Sequence, residues 1–200
     1  MNENNEMISY FDSVASSWSN NVDEYEIREE LVEMMRLPKN SLIADLGCGK
    51  GVMFPHLLKT EPRGILAVDI SSEMLKCAAK LFPDTRITFI NEDVLSAALP
   101  TLDAAVFFNA YPHFMDKKAL SKKLSKCIRP GGYLFIAHSA CKEKINMTHK
   151  RVTIAKLSQP LRAAIEETNE FQPFFIPEKI IDNEKLYFIK MLRSETSFFP

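Results

Sequence analysis

Short apolar runs alternate with amphipathic stretches through the middle of the chain, and this alternation constrains the fold more than any other feature. The runs have the length of buried strands, and the stretches between them show the apolar spacing of helices. We predict helices from Ser71 or Ser72 to about Phe82 and from Lys117 to Cys127, and strands at 41–46, 65–69, 86–90, 102–108 and 133–137. Such an order predicts right-handed crossovers and a parallel sheet with helices on both faces.

The two ends of the chain depart from this alternation. At the C-terminal end, helices predicted at 142–157 and 160–168 precede extended runs at 171–181 and 185–192, which a polar turn at 182–184 joins. Two strands joined without a crossover must pair antiparallel. At the N-terminal end, helical spacing predicts an aromatic-faced helix over residues 6–18, from Met7, Tyr10, Phe11, Val14 and Trp18. A second helix is predicted over 24–37.

Composition limits the partners that the protein can have. The 200 residues are 46% hydrophobic, which is enough for one domain with a core. The 25 basic and 26 acidic side chains give a net charge of −1, so neither a nucleic acid nor an anionic membrane is expected as a partner. The N-terminal residues lack a signal-peptide pattern and no apolar run is long enough to span a membrane. We therefore expect a cytoplasmic protein with a small-molecule partner.

Three glycines follow the first predicted strand at every second position, as Gly47, Gly49 and Gly51. Glycines allow a tight turn and a close approach of the backbone to a ligand. A strand, a glycine turn and a helix form a cradle for the anionic end of a cofactor, with free N–H groups at the helix start. Nicotinamide-dependent dehydrogenases share this arrangement, but their fingerprint is G-x-G-x-x-G. The third glycine here comes one residue early, which disfavours a dehydrogenase.

The whole set of motifs resembles the class I S-adenosylmethionine-dependent methyltransferases. It consists of the DLGCGKG turn, an acid that closes the second strand, an acid after the third, a Pro-Gly-Gly before the fifth strand and a terminal antiparallel hairpin. The aromatic N-terminal helix is similar to the lid of the small quinone-biosynthesis-type branch. The resemblance implies a Rossmann-like, doubly wound, mostly parallel seven-stranded sheet, with a helical lid at 1–38 and a cofactor-binding core at 40–192 in a single domain, 1–200.

The resemblance also implies S-adenosylmethionine as the cofactor and a set of residues that bind it. Asp45 could attract the cofactor's ammonium, or else cap the turn. Asp69 would accept hydrogen bonds from both ribose hydroxyls, or else cap the next helix. Asp93 would meet the adenine amino group, or else be a solvated loop acid. The other residues of the predicted cofactor site are Gly47, Cys48, Gly49, Gly51, Ile70, Met74, Val94 and Asn109.

Three of the four histidines are expected near the acceptor. His113 follows the fourth predicted strand and His138 closes the fifth, so both should lie at the ligand-binding edge of the sheet. His149 lies on a helix that could fold over the same pocket. Three interpretations stay open: a catalytic base or hydrogen-bonding group, a metal site completed by Asp182 or Cys141, and a pocket wall. The predicted site includes no metal.

The predicted reaction is methyl transfer to a small molecule by in-line attack on the sulfonium methyl group. The acceptor would be a thiol, a phenol or enol, or an amine, and the aromatic pocket walls would be Tyr10, Phe11, Trp18 and Tyr111. The alternative is an inactive S-adenosylmethionine-binding protein that acts as a regulator or partner subunit. The sequence does not decide the oligomeric state.

Overall fold

A seven-stranded sheet forms the centre of the molecule in the order β3-β2-β1-β4-β5-β7-β6. The computed structural model describes residues 3–18, 24–151 and 156–195. The strands are β1 (Leu42–Leu46), β2 (Gly64–Asp69), β3 (Ile87–Asn91), β4 (Leu102–Phe108), β5 (Ile128–His138), β6 (Phe175–Asp182) and β7 (Tyr187–Arg193). The first five are parallel, whereas β7 pairs antiparallel with β5 and β6. This arrangement confirms the predicted Rossmann-like fold with a C-terminal antiparallel hairpin.

Strand β1 lies where the direction of winding reverses. It pairs with β2 on one side, through Leu42 and Gly64, and with β4 on the other, through Ile43 and Ala104. The chain winds outward from β1 to β3 and then returns to begin β4 beside β1. In parallel sheets, a ligand crevice opens beyond the carboxyl ends of the strands at such a reversal point.

Helices cover both faces of the sheet. They are α1 (Glu3–Val14), α2 (Tyr25–Met35), α3 (Phe54–Leu58), α4 (Ser72–Leu81), α5 (Lys117–Cys127), α6 (Lys142–Arg151) and α7 (Ala164–Glu167), with 3₁₀ helices at Tyr111–His113 and Thr168–Phe171. Ser71 begins α4 by accepting a hydrogen bond from the Met74 N–H, and Asp116 begins α5 by accepting one from the Ala119 N–H. Within the described ranges, no helix is long and apolar enough to cross a membrane.

Alternate residues of the central strands enter two apolar cores, one on each face. In β1, Leu46 belongs to one core and Ile43 to the other. Helix α2 contributes Leu31 and Met35, both fully buried, to the second core. Although the predicted lid spans residues 1–38, α2 is therefore part of the packed core. Helix α1 instead packs on a separate small cluster around Met7 and Leu157, which leaves α1 as the cover of the crevice.

The largest differences from the predicted boundaries lie in the last quarter. The predicted helix at 160–168 is shortened to α7, because side chains bind the backbone N–H groups before it: Asn146 accepts from Leu161, and Glu167 accepts from Arg162. Strand β6 begins at Phe175 because a 3₁₀ helix occupies 168–171. Of the predicted helix 142–157, α6 covers Lys142–Arg151, and residues 152–155 lie outside the described ranges.

Candidate active site

The glycine turn after β1 is fixed by left-handed backbone conformations. Gly47, Gly49 and Gly51 have φ angles of 70°, 53° and 77°, which side chains other than glycine disfavour. A Cβ atom on Gly51 would lie 2.3 Å from the Phe54 ring, whereas one on Gly49 would meet nothing within 4 Å. The turn therefore needs glycine at Gly51 for packing, while Gly49 faces open space.

The N–H groups of this turn do not offer the free donors expected from the sequence. The N–H groups of Gly47 and Cys48 both donate to the Val68 carbonyl at 2.8 and 3.2 Å, and that of Gly49 donates to Asp69. Helix α3 begins only at Phe54, beyond the glycines, and is too short to act as an anion site by itself. The turn is bound to β2 instead, so a ligand must be held mainly by side chains.

Two carboxylates lie buried beside the turn. Asp69 accepts hydrogen bonds from the N–H groups of Gly49 and Ser71 at 2.8 and 2.9 Å. Burial nevertheless raises the pKa of Asp69. Asp45 is buried more deeply, and burial together with the nearby Asp69 raises the pKa of Asp45 to about 7. Its Oδ2 atom has no hydrogen-bond partner among the described residues, so the region is short of a positive charge.

A pocket of about 610 Å³ opens at the carboxyl ends of β1, β2 and β4. Twelve of the predicted site residues line this pocket: Phe11, Trp18, Gly47, Cys48, Gly49, Asp69, Ile70, Met74, Asp93, Val94, Asn109 and His113. Six predicted residues do not line it: Tyr10, Asp45, Gly51, Tyr111, His138 and His149. The structure thus brings most of the predicted cofactor residues to one cavity but only part of the predicted acceptor residues.

Asp93 and Asn109 both line the pocket and already have partners. Asp93 accepts from the Leu95 N–H through Oδ1 and from the Asn4 side chain through Oδ2, both at 2.8 Å. Asn109 has a φ of 51° and exchanges two hydrogen bonds with Ser139, which tie the end of β4 to the end of β5. Each carboxylate oxygen of Asp93 can accept a further bond, so Asp93 still suits an amino group.

Helix α1 is fixed over the pocket by hydrogen bonds to segments that carry cofactor-site residues. Asp12 accepts from the Ser71 hydroxyl at 2.6 Å and from the Glu73 N–H at 3.2 Å, at the start of α4. After α1, the Trp18 carbonyl accepts from the Lys50 ammonium at 3.0 Å. No periodicity marks Asn4 or Asp12 in the sequence, because their partners lie 59 to 89 residues away.

The three predicted histidines gather behind and within the pocket wall. The ring centroids of His113 and His149 are 5.0 Å apart, and the charges of both would lower the pKa of His138. His138 is fully enclosed, and burial lowers its pKa to about 3. Burial also lowers the pKa of His149, against an opposing effect of the Ile145 carbonyl. Of these three histidines, His113 lines the pocket, whereas His138 and His149 do not.

The surroundings of His113 define its protonation. Its Nδ1 atom lies 2.9 Å from the Leu157 carbonyl oxygen. Burial lowers the pKa of His113 to about 4, so the ring is neutral near pH 7. Across the described ranges, no group of three or more His, Cys, Asp or Glu side chains is placed to hold a metal ion, so the metal interpretation gains no support.

Tyr111 points away from the pocket, in contrast to its predicted role as a wall. It is fully buried, its hydroxyl donates to Glu167 at 3.0 Å, and the Lys117 ammonium lies 3.5 Å from its ring centroid. The 3₁₀ helix Tyr111–His113 separates the two side chains, which sends Tyr111 into the core and His113 to the cavity. Tyr10 is likewise outside the lining and packs edge-on against Phe11 at 5.3 Å.

Arg28 of α2 is a lining residue that the sequence does not reveal. It is 5% exposed, contacts Glu24 at 3.4 Å, and places its guanidinium carbon 5.9 Å from the Phe108 ring centroid. A guanidinium in a pocket wall is complementary to a carboxylate. Arg28 falls next to Ile27 in the apolar pattern of the helix, and spacing alone gives no reason to single it out.

The fold and this pocket together define a class of protein. A mostly parallel sheet with a reversed seventh strand carries Asp69 at the end of β2 and Asp93 after β3 in the lining of a cavity at the reversal point, with Asp45 buried in β1 beside the glycine turn, as expected for an S-adenosylmethionine-dependent methyltransferase. Residues 44–136 match the model of a family described as a methyltransferase domain. Residues 44–136 are therefore similar to a methyltransferase domain, and the fold around them is the one that S-adenosylmethionine-dependent methyltransferases share.

Individual relatives agree with this assignment. The chain is 31% identical over 104 residues to 2-methyl-6-phytyl-1,4-hydroquinone methyltransferase of Synechocystis, a match that covers 50% of this chain and 33% of that protein. It is 31% identical over 96 residues to an uncharacterized methyltransferase of Mycobacterium tuberculosis, which covers 47% of this chain and 48% of the relative. The chain thus spans half or less of the length of these curated relatives.

Solved structures share the fold at low sequence identity. An S-adenosylmethionine-dependent methyltransferase of Mesorhizobium loti superimposes with a TM-score of 0.66 at 18% identity, over 82% of this chain and 96% of that one. At such identity the likeness shows the fold alone. The acceptor must be inferred from the residues of this chain.

Proposed function

We propose that this protein transfers the methyl group of S-adenosylmethionine to a small-molecule acceptor. One observation carries the proposal: the 610 Å³ pocket joins a wall of strand-end acids to an apolar wall under α1. A cofactor and an acceptor that must react with each other need adjacent places in one cavity from which water is excluded.

The residues of the acidic wall fit this cofactor. Asp45 does not itself line the pocket, but its buried Oδ2 lacks a partner among the described residues, and an ammonium bound near it would supply a positive charge. Arg28 offers a partner for a carboxylate, Asp69 for ribose hydroxyls and Asp93 for an adenine amino group. When bound, the cofactor supplies an electrophilic methyl group, so the protein itself needs mainly to orient the acceptor and receive its proton.

The acceptor is proposed to be a thiol, a phenol or enol, or an amine. The relative that methylates a hydroquinone supports a phenolic compound. The near-neutral composition favours a small molecule over a nucleic acid. We further propose that residues 1–200 form one domain and that the protein is cytoplasmic.

A methyltransferase domain that binds the cofactor without turnover is the alternative function. The pocket of such a protein would keep the acids that bind the cofactor. It would need no group that takes a proton from a methyl acceptor. The neutral His113 in the lining favours the enzyme. A nicotinamide-dependent oxidoreductase is disfavoured by the glycine spacing and by the antiparallel β7.

Calorimetric titration with S-adenosylhomocysteine tests the cofactor site. Asp69→Asn and Asp69→Ala should weaken binding by about 1–3 kcal/mol, the cost of losing hydrogen bonds to a charged group. Asp84→Ala is the matched control, because Asp84 pairs with Arg86 outside the pocket and its loss should leave affinity unchanged. Full affinity in both Asp69 variants would remove this residue from the site.

Turnover separates the enzyme from the inactive alternative. The protein is incubated with S-adenosylmethionine and a panel of thiols, phenols and amines, and S-adenosylhomocysteine is quantified. Cofactor binding without product from any acceptor would favour the regulator. An absence of binding by the folded protein would overturn both functions.

A further inference from the structure

The wall under α1 differs in chemistry from the rest of the pocket. The lining residues that carry charge come from α2, from the segments after β1, β2 and β3, and from the start of α5. Helix α1, the turn after it and the segment after β4 contribute mostly apolar groups and one imidazole: Met7, Phe11, Trp18, His113, Phe114 and Met115. Asn4 adds an amide from α1, but Asp93 already binds it. This aromatic wall suits an uncharged, flat molecule.

One polar atom of the aromatic wall has a defined role. The Leu157 carbonyl can only accept a hydrogen bond, so the Nδ1 atom of His113, 2.9 Å away, carries the ring proton. The Nε2 atom of the neutral ring is then an acceptor, and no described residue donates a hydrogen bond to it. Edge contacts with Phe11 at 5.2 Å and His149 at 5.0 Å hold the ring in place.

We propose that the methyl acceptor is an uncharged aromatic hydroxyl compound whose O–H donates to Nε2 of His113, with its ring between Phe11 and Phe114. The inference rests on the proposed function. A phenol is neutral near pH 7 because its pKa is close to 10, whereas an aliphatic amine is cationic. The residues of the aromatic wall include no carboxylate, and Asp116, which follows Met115 in the lining, already accepts a hydrogen bond from the Ala119 N–H. A thiol is a weak hydrogen-bond donor and gains little from the imidazole.

The proton of the hydroxyl group moves late in the reaction. The pKa of His113 lies far below that of a phenol, so the imidazole does not remove the proton from the free acceptor. As the oxygen forms its bond to the methyl carbon, the carbon–sulfur bond breaks and its electron pair stays on sulfur. The oxygen then becomes strongly acidic, its proton passes to Nε2 of His113, and water removes the proton from the imidazolium.

Trp18 provides a direct readout, because it is the single tryptophan of the chain and lines the pocket. Its fluorescence is followed while 4-propylphenol is titrated into protein saturated with S-adenosylhomocysteine. The matched probes are 4-propylanisole, 4-propylaniline, 4-propylbenzenethiol and 4-propylbenzylamine. We expect the phenol to bind about threefold to tenfold more tightly than its methyl ether, as one added hydrogen bond allows, and more tightly than the other three.

Variants of His113 test the origin of this preference. His113→Phe should reduce the ratio of the affinities for 4-propylphenol and 4-propylanisole to near one. The affinity for S-adenosylhomocysteine and the unfolding temperature should stay at the wild-type level. His113→Gln, whose amide oxygen can still accept a bond, should retain part of the ratio. A second test is turnover: the phenol should yield its methyl ether with wild-type protein and far less with His113→Phe.

The outcomes separate this inference from the proposed function. Failure to bind S-adenosylhomocysteine overturns both. Normal binding of S-adenosylhomocysteine combined with equal affinity for phenol and ether, a preference for amine or thiol, no binding of any probe, or a phenol preference that survives His113→Phe overturns the acceptor class alone.

Discussion

The two walls of the pocket are built in different ways. We call the acidic wall, which is proposed to hold the cofactor, the cofactor wall, and the aromatic wall under α1 the acceptor wall. The acids of the cofactor wall stand on or just after parallel strands, and backbone ladders fix their positions: Asp69 ends β2 and pairs with Asn91 of β3. The aromatic wall depends on side chains and carbonyls that meet across long sequence distances, such as His113 with Leu157. The sheet therefore fixes the cofactor wall, whereas replaceable contacts shape the acceptor wall, where substrate preference can change without disturbing the fold.

The strongest test of the rigidity of the cofactor wall compares two glycines of one turn. Gly51→Ala would place Cβ 2.3 Å from the fully buried Phe54 ring, so we expect a loss of unfolding free energy of about 3 kcal/mol or more, from overpacking and a left-handed backbone together. Gly49→Ala meets no atom within 4 Å. It should lose only about 1–2 kcal/mol, the cost of the left-handed conformation. Urea denaturation measures both.

The same pair should reverse its order in cofactor binding. The Cβ added at Gly49 points into the open pocket. Gly49→Ala should therefore weaken S-adenosylhomocysteine binding more than Gly51→Ala does, although it costs less unfolding free energy. Equal stability losses in the two variants would contradict a turn in which packing requires glycine at Gly51 but not at Gly49.

Prediction from sequence succeeds where the sheet imposes position. The bounds of β4 and α5 coincide with the predicted ones, and the acids after β2 and β3 reach the pocket. The spacing of apolar residues predicts the bounds of the elements. The order of the strands predicts where the acids lie, because residues at the carboxyl ends of parallel strands share one edge of the sheet.

The aromatic wall could be predicted only in part. Tyr111 and His113 are two residues apart, and the turn of a short 3₁₀ helix alone decides which of them meets the cavity. The partner of His113 is a backbone carbonyl at Leu157, which any residue type would supply. Arg28 is recognisable only once α2 is packed against β4.

A smaller effect is expected from protonation of Asp45, which tests whether the cofactor wall lacks positive charge. Burial and the nearby Asp69 raise the pKa of Asp45 to about 7, so about half of the free protein carries a proton there at pH 7. A bound ammonium favours the carboxylate and lowers this pKa, so binding should release about half a proton and strengthen several-fold between pH 6 and pH 7.5.

Titration calorimetry in buffers of different ionisation enthalpy measures the proton release on binding of S-adenosylhomocysteine. Asp45→Asn should abolish the release and flatten the pH dependence. A release that persists in Asp45→Asn would assign the proton to another group, and proton uptake in the wild type would contradict the electrostatic account.

The smallest effect is expected at the attachment of α1, and it bears on whether the acceptor wall can move independently of the sheet. Asp12 accepts two hydrogen bonds at the start of α4, and α1 otherwise rests on the small cluster around Met7 and Leu157. Asp12→Ala should therefore cost about 1 kcal/mol of docking free energy for α1 and almost none of the global stability. Amide hydrogen exchange should accelerate in α1 but not in β2.

Binding in the Asp12 variants then shows which wall α1 serves. Asp12→Ala should weaken phenol binding about threefold, because Phe11 is less well held, while S-adenosylhomocysteine affinity changes less. Asp12→Asn keeps an acceptor oxygen and should restore most of the affinity. If exchange accelerated equally in α1 and β2, the cover and the sheet would unfold as one unit. The contrast between a rigid cofactor wall and a detachable acceptor wall would then be wrong.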